Sequence, residues 1–123
     1  MKTQAVMAVA FASTFAVATP ATAQDRSDWP SNFTVGTASQ GGTYFAYGSG
    51  WANFVAENLG VSGGAEITGG PVQNMALVHT GDLKFGLTTM GPARESMDGN
   101  SPLAPGMKMD NVCAMFPMYE TPF

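Results

Sequence analysis

Hydrophobic positions change their spacing at residue 36, and the change predicts a strand followed by a helix. Phe33 and Val35 alternate with Thr34, which is the period of a half-buried strand that ends at Gly36. Apolar and aromatic residues then recur at helical spacing, at Tyr44, Tyr47, Trp51, Phe54, Val55 and Leu59. Gly60 follows the last of them and is a typical helix C-cap. We expect this stripe to belong to the core, and the two glycines within it, Gly48 and Gly50, to indicate close packing against a neighbouring backbone or an approach to the ligand.

A second strand–helix unit follows. Gly63 and Gly64 indicate a turn, and a short strand is predicted over residues 65–68, around Ile67. Pro71 suits the first position of the next helix, because the backbone N–H that proline lacks has no helical partner there. The helical stripe contains Val72, Met75, Ala76, Val78 and His79. Gly81 ends the helix.

The third unit is shorter. A strand with Phe85 and Leu87 at its apolar positions is predicted over residues 82–89, and a short helix beginning at 91–93 closes at Gly99. Residues 100–110 are rich in Pro, Gly and Met and predict an irregular segment. Strand-like character resumes over residues 112–116, which makes Cys113 an expected buried strand residue.

Strands that alternate with helices predict an α/β fold with a parallel sheet covered by helices. Ligands of such sheets bind outside the carboxyl ends of the strands, where the strand-to-helix loops gather. These loops are residues 37–43, 69–74 and 88–92, and they are small, bear hydroxyl or amide groups and carry almost no charge. Unpaired N–H groups at a helix start attract anions, so the first loop is a candidate anion site.

The N-terminus has the three parts of a secretory signal peptide. Lys2 is basic, residues 5–19 are apolar, and an Ala-x-Ala site predicts cleavage after Ala23. A membrane anchor would need about 20 apolar residues, and this run is shorter. We therefore expect an exported, periplasmic chain with residues 1–23 as signal peptide, 24–31 as an exposed lead-in and 32–123 as the folded lobe.

Charge and rare residues exclude several classes of function. After residue 23 the chain has nine acidic and four basic residues, a net charge of −5, which argues against nucleic acid and anionic membrane surfaces as partners. Cys113 and His79 are the only cysteine and histidine. A disulfide framework, a thiolate metal site and a histidine-based triad are therefore excluded, and we expect neither a metal nor a cofactor.

Three motifs resemble those of the TAXI family, the solute-binding proteins of tripartite ATP-independent periplasmic (TRAP) transporters. They are residues 37–44 (TASQGGTY), 70–74 (GPVQN) and 81–87 (GDLKFGL), and the resemblance extends over roughly 33–123. It implies a type II periplasmic binding fold with two α/β lobes and a cleft between them. The chain is then expected to be the first lobe only, with βαβαβ order, as an N-terminal fragment that lacks the second lobe.

The resemblance also implies function and site residues. Members capture small organic anions, of glutamate-like or 2-oxoacid type, and deliver them to a sodium-coupled permease in the membrane. The ligand-binding residues implied are Thr37, Ser39, Gly42, Thr43, Tyr44, Val72, Asn74, Thr88 and Thr89. Pro71 and Pro92 depart from the family pattern, which commonly has a serine and an acidic residue there. A single lobe is expected to bind weakly or not at all, because closure against a second wall is missing.

Several positions have a structural alternative. Tyr44 could be a core residue at an ordinary helix start, and the Asn74 amide could hold the neighbouring loops rather than a ligand. Of Thr88 and Thr89, one is expected to face the cleft and the other the core. Arg94 could contact an anion, but pairing with Asp98 one helical turn away is favoured.

Two other functions stay open at the level of sequence. One is an exported enzyme on the same scaffold, although His79 falls on the body of a helix, away from the carboxyl ends of the strands. The other is a sensor lobe or a non-functional truncated product. We therefore favour a binding protein without catalytic residues.

Overall fold

The structure is a computed structural model that describes residues 25–120. The predicted signal peptide and its cleavage site lie outside the described residues. Strands and helices alternate along the chain: β1 (Asn32–Gly36), α1 (Thr43–Leu59), β2 (Ser62–Glu66), α2 (Pro71–Thr80), β3 (Phe85–Gly86) and α3 (Met90–Asp98). Gly60, Gly81 and Gly99 end the three helices with left-handed backbone, as the sequence predicts. No helix within residues 25–120 is long and apolar enough to cross a membrane.

The three strands form one parallel sheet in the order β2-β1-β3. Val35 of β1 lies opposite Ala65 of β2 on one side and Phe85 of β3 on the other. All three strands therefore end at the same edge, and the three strand-to-helix loops leave from it. The predicted α/β fold is confirmed, and the architecture is that of one lobe of a binding protein.

Alternate residues of β1 face the two sides of the sheet. Phe33 and Val35 are buried against Ala52 of α1. The ring of Phe33 makes edge-to-face contacts with Trp51 and Phe85, with ring centroids 5.8 and 5.6 Å apart. Such aromatic pairs contribute about 0.5–1.5 kcal/mol each beyond the area they bury. This face of the sheet holds the core.

Part of the apolar stripe of α1 lies outside this core. Phe54 is 65% exposed, although its spacing predicts a core position. Gly48 is close-packed as expected, since a Cβ there would lie 2.5 Å from the Thr37 methyl group. A Cβ at Gly50 would meet nothing within 4 Å, so Gly50 is not close-packed, and an approach to the ligand at that position stays a prediction.

The second strand begins earlier than the sequence predicts. Gly63 and Gly64 do not form a turn but lie inside β2, whereas Ile67 follows the strand and is 53% exposed. The missing side chain explains the difference, because a Cβ at Gly63 would lie 2.7 Å from the Ala52 carbonyl oxygen and 2.6 Å from the Phe33 ring. Glycine at this position lets β2 approach α1 closely.

The third strand is only two residues long, against a predicted range of 82–89. Only the last two residues of β1, Val35 and Gly36, pair with it. One further hydrogen bond, 2.9 Å from the Leu87 amide to the Gly36 carbonyl, extends the contact beyond the strand. The predicted third helix is confirmed over Met90–Asp98.

Residues 99–109 are irregular, as predicted, and fold back on the end of α3. Met109 is fully buried, and its amide donates to the Ser96 carbonyl at 3.1 Å. The Gly106 amide likewise donates to the Gly99 carbonyl at 2.8 Å. These bonds satisfy carbonyls that the end of a helix would otherwise leave without a partner.

The strand predicted over residues 112–116 is wrong. The C-terminal segment, which we define as residues 111–120, has no regular secondary structure, and Cys113 is exposed rather than buried. This segment is attached to α1 by side-chain contacts, whereas a strand would be attached by backbone hydrogen bonds. Phe116 contacts Trp51, with ring centroids 6.1 Å apart, and Tyr119 contacts Tyr47 at 5.5 Å. The segment therefore lies along α1 without joining the sheet.

Candidate functional site

The loop between β1 and α1 presents unpaired backbone amides. Gly41 adopts a positive φ of 84°, which turns the chain into the helix, and the Gly42 amide donates to the Ser39 carbonyl at 3.1 Å. The first helical hydrogen bond comes from Ala46, which donates to Gly42. Within residues 25–120 no acceptor is present for the amides of residues 43–45. Three N–H groups therefore point out of the start of α1.

The other two helices start in the same way at the same sheet edge. Gly70 precedes α2 and Thr89 precedes α3, and neither helix has a side-chain cap. None of the three helices carries an acidic residue in its first turn. Because an acidic residue there would neutralise the positive end of the helix dipole, its absence leaves this edge of the sheet attractive to anions.

Asn74 holds the three strand ends together from beneath. It is 1% exposed, and its Nδ2 lies 2.7 Å from the carbonyls of Thr37 and Leu87 and 3.1 Å from that of Gly36. Its Oδ1 accepts a hydrogen bond from the Thr68 hydroxyl at 2.6 Å. The protein itself occupies the polar atoms of Asn74, as the structural alternative requires. The predicted ligand contact of Asn74 stays a prediction.

Thr37 is also buried beneath the loop. It has no exposed surface, and its Oγ1 donates to the Glu66 carbonyl at 2.6 Å, while its amide donates to the same oxygen at 2.9 Å. Thr37 therefore joins the ends of β1 and β2. The hydroxyl of this predicted site residue is directed to the backbone in the structure.

A shallow cavity of about 390 Å³ opens at the start of α1. Its lining residues are Ala38, Ser39, Gly42, Thr43, Tyr44, Pro71 and Tyr119. The structure thus brings together four of the predicted site residues, Ser39 and residues 42–44. None of the lining side chains is charged, so the positive field in the cavity comes from backbone N–H groups.

Tyr44 lines this cavity, and its hydroxyl lacks a hydrogen-bond partner within residues 25–120. The oxygen is buried, and no residue within 25–120 makes a well-formed hydrogen bond to it. Burial raises the pKa of the Tyr44 hydroxyl, the neighbouring Tyr119 adds to the rise, and the Thr89 side chain opposes it. The phenol therefore stays protonated at neutral pH and can donate to an acceptor. Burying such a donor without a partner costs about 1–3 kcal/mol.

Three lining residues, Ala38, Pro71 and Tyr119, were not among the predicted ligand contacts. Pro71 begins α2, and its ring takes the place that a hydroxyl donor would have in the TAXI pattern. Tyr119 comes from the C-terminal segment, and its ring centroid lies 6.5 Å from that of Tyr44. No spacing signal in the sequence connects Tyr119 to the first loop, because its segment has neither helical nor strand period.

The remaining predicted residues lie around this cavity rather than in its lining. Val72 lines a separate cavity of about 460 Å³ with Gly69, Gln73, Pro102 and Leu103. The Thr88 hydroxyl donates to the Pro71 carbonyl at 3.3 Å and so joins the second and third loops. Thr89 is the residue before α3, next to Tyr44.

The other candidate polar groups have structural partners. Arg94 pairs with Asp98 at 2.5 Å, as expected, and the carboxylate raises the pKa of the Arg94 guanidinium. His79 lies in the last turn of α2, where its ring contacts the Asn111 side chain, and the Asn111 amide donates to the His79 carbonyl at 3.0 Å. Within residues 25–120 no three His, Cys, Asp or Glu side chains gather as metal ligands would.

A comparison with protein families identifies this architecture. The model of the NMT1-like family matches residues 35–123, which is well over half of the chain. The chain belongs to the NMT1-like family. This is a family of periplasmic binding-type proteins, which are typically extracytoplasmic. Comparisons with curated proteins and with solved structures gave no match.

Membership of the NMT1-like family establishes the broad class of function. The chain is a solute-binding domain of periplasmic type, and proteins of this class bind ligands and work with transporters. The family is one of binding proteins rather than enzymes. The matched range includes all three strand-to-helix loops and the C-terminal segment with Tyr119.

Proposed function

We propose that this chain is an extracytoplasmic solute-binding protein that captures a small organic anion for a TRAP transporter of the TAXI type. The anion is of the amino-acid or 2-oxoacid/dicarboxylate type, and it binds at the start of α1. The motifs at residues 37–44 and 70–74 and the membership of the NMT1-like family support this proposal. The permease subunits are the proposed membrane partners, and a second lobe of the binding protein is the proposed opposite wall.

The cavity at the start of α1 carries the proposal. Residues 42–44 line one cavity without an acidic side chain in its lining, and the amides of residues 43–45 at the same helix start have no acceptor within residues 25–120. A carboxylate has acceptor oxygens for these donors, and hydrogen bonds to a charged acceptor are about twice as strong as neutral ones.

The lining also favours binding over chemistry on the ligand. General acid–base catalysis needs a titratable group within hydrogen-bonding reach of the reacting proton. The only titratable side chains in the lining are Tyr44 and Tyr119, and the pKa of the Tyr44 hydroxyl is raised by burial, which makes it a poor base at neutral pH. His79 lies in the last turn of α2, at the opposite end of that helix from Pro71. An exported enzyme on the same scaffold remains the alternative function.

The proposal is tested by an NMR titration of the ¹⁵N-labelled chain with 2-oxoglutarate and with L-glutamate. Because the cavity is open on one side, we expect a Kd in the millimolar range, a binding free energy of about −4 kcal/mol. The amide signals of residues 42–45 should shift most. The dimethyl ester of 2-oxoglutarate, which has no carboxylate charge, is the matched control and should leave these signals in place. Equal shifts with the ester, or none with any anion, would overturn the proposal.

A further inference from the structure

Tyr119 reaches the cavity because three side-chain contacts direct the C-terminal segment along α1. At its start, Asn111 is bonded to His79 at the end of α2. In its middle, Phe116 packs on Trp51, which itself packs on Phe85 of the sheet at 5.4 Å. At its end, Tyr119 packs on Tyr44 and Tyr47 near the start of α1. The segment therefore presents the Tyr119 ring at the mouth of the cavity.

Most of the cavity lining is apolar. Ala38 contributes a methyl group, Pro71 a saturated ring, and Tyr44 and Tyr119 two aromatic rings. The planes of the two tyrosine rings are inclined by 74°, which is an edge-to-face arrangement. In this arrangement one ring face is left free to contact a ligand. A second carboxylate of a ligand would lie against these groups without a cation in the lining, and burying an unpaired charge is costly.

We propose that Tyr119 is a specificity-determining residue and that this cavity favours a monocarboxylate with a planar, apolar body, such as an aromatic 2-oxoacid. This inference rests on the proposed function and narrows its ligand class. The carboxylate binds at the amides of residues 43–45, and the planar body packs against the Tyr119 ring. Dicarboxylates bind more weakly at this cavity, because their second charge meets the apolar wall.

The test compares three probes that share the 2-oxoacid group, namely benzoylformate, pyruvate and 2-oxoglutarate. Each is titrated by NMR into the wild-type chain and into the variants Tyr119→Ala, Tyr119→Phe and Met115→Ala. Met115 lies in the same segment, is 64% exposed and does not line the cavity, so its variant controls for changes in the segment. Tyr119→Phe keeps the ring and removes only the hydroxyl.

In the wild-type chain we expect benzoylformate to bind roughly tenfold more tightly than pyruvate, an effect of the size reported for aromatic pairs. Tyr119→Ala should abolish this preference by weakening benzoylformate far more than pyruvate, whereas Tyr119→Phe and Met115→Ala should keep it. If all three probes bind but Tyr119→Ala keeps the preference, the inference is overturned while the proposed function stands. If no probe shifts the amides of residues 43–45, the proposed function fails as well.

Discussion

The side-chain amide of Asn74 in α2 donates a hydrogen bond to the backbone carbonyl of Leu87, 2.7 Å away. This bond holds the backbone just after β3, where the third loop begins. The same amide lies 2.7 Å from the carbonyl of Thr37 at the end of β1. One buried side chain therefore sets the relative positions of two loops that meet at the candidate site. The shape of the site depends on a residue that need not touch the ligand.

Replacing Asn74 by alanine should destabilise the fold strongly. The change leaves the Leu87 carbonyl without a donor and removes one of two donors from the carbonyls of Gly36 and Thr37, and we expect a loss of about 2–4 kcal/mol in the free energy of unfolding. Asn74→Asp should be at least as damaging, because a carboxylate cannot donate and would face carbonyl oxygens. Urea denaturation measures the effect.

The matched control for this prediction is Asn58→Ala. The Asn58 amide also donates to a carbonyl, that of Phe54 one turn earlier in α1, but the residue is exposed. We expect its loss to change the free energy of unfolding by no more than about 0.5 kcal/mol. Equal effects of the two alanine variants would contradict the role given to Asn74.

Two adjacent glycines in β2 should respond differently to the same substitution. Gly63→Ala places a Cβ 2.7 Å from the Ala52 carbonyl oxygen, a distance that forces the strand away from α1, and should cost about 1–3 kcal/mol. Gly64→Ala meets no atom within 4 Å and should be neutral or slightly stabilising, because alanine restricts the unfolded chain. Thermal unfolding of the two variants checks the difference, and similar melting temperatures would show that β2 does not approach α1 as described.

A second pair of glycines tests the packing of α1 on the first loop. A Cβ at Gly48 would lie 2.5 Å from the methyl group of buried Thr37, so Gly48→Ala should destabilise the protein by about 1–3 kcal/mol despite its better helix propensity. Gly50 is exposed and a Cβ there meets no atom, so Gly50→Ala should stabilise the protein by up to about 1 kcal/mol. Circular dichroism melts that rank these variants in the opposite order would refute the packing of α1 on Thr37.

The raised pKa of Tyr44 predicts a loss of stability at alkaline pH. Because burial keeps the folded form of Tyr44 protonated to higher pH than the unfolded form, the unfolded chain loses this proton first. The contribution of Tyr44 is therefore complete below its ordinary pKa of 10.0 and declines as pH rises through the folded value. Tyr44→Phe should flatten this part of the curve of unfolding free energy against pH. An unchanged slope in the variant would show that Tyr44 is not the group responsible.

Local sequence signals predicted most of the fold. The three helices end at glycines that the sequence offers as caps, and Pro71 starts α2 where its missing N–H costs nothing. These signals work because they act within a few residues of the chain. The parallel sheet follows from the alternation of strands and helices alone.

The errors arose where contacts distant in the chain decide the structure. Gly63 and Gly64 resemble a turn by composition, yet the approach of Ala52 and Phe33 makes Gly63 a strand residue. Residues 112–116 have strand-like composition, but aromatic contacts with α1 attach their segment and no strand of the described chain pairs with it. The spacing of apolar residues along the chain predicts neither the strand at Gly63 nor the irregular conformation of residues 112–116.

Like the fold, the candidate site was predicted only where its residues are close together in the sequence. Ser39 and residues 42–44 were predicted from one continuous motif, and they meet at one cavity. Tyr119 joins them from a segment about 75 residues away in the chain, and only the folded structure shows that contact. The role of Asn74 beneath the loops likewise depends on backbone carbonyls at the ends of two different strands, β1 and β3.

The most direct test of anion binding at the start of α1 is to place a negative charge there. Thr43 is exposed and is the first residue of the helix, so Thr43→Asp should stabilise the fold by about 0.3–1 kcal/mol through the helix dipole. Asn53→Asp adds the same charge at an exposed position in the middle of α1 and serves as the control.

The decisive measurement is the affinity of 2-oxoglutarate for these two variants and the wild-type chain, followed by NMR at the amides of residues 42–45. We expect Thr43→Asp to bind the anion at least about tenfold more weakly while unfolding at a higher temperature, because the new carboxylate occupies the amides that the ligand needs. Asn53→Asp should bind like the wild type. Unchanged affinity in Thr43→Asp would contradict the assignment of this helix start as the anion site.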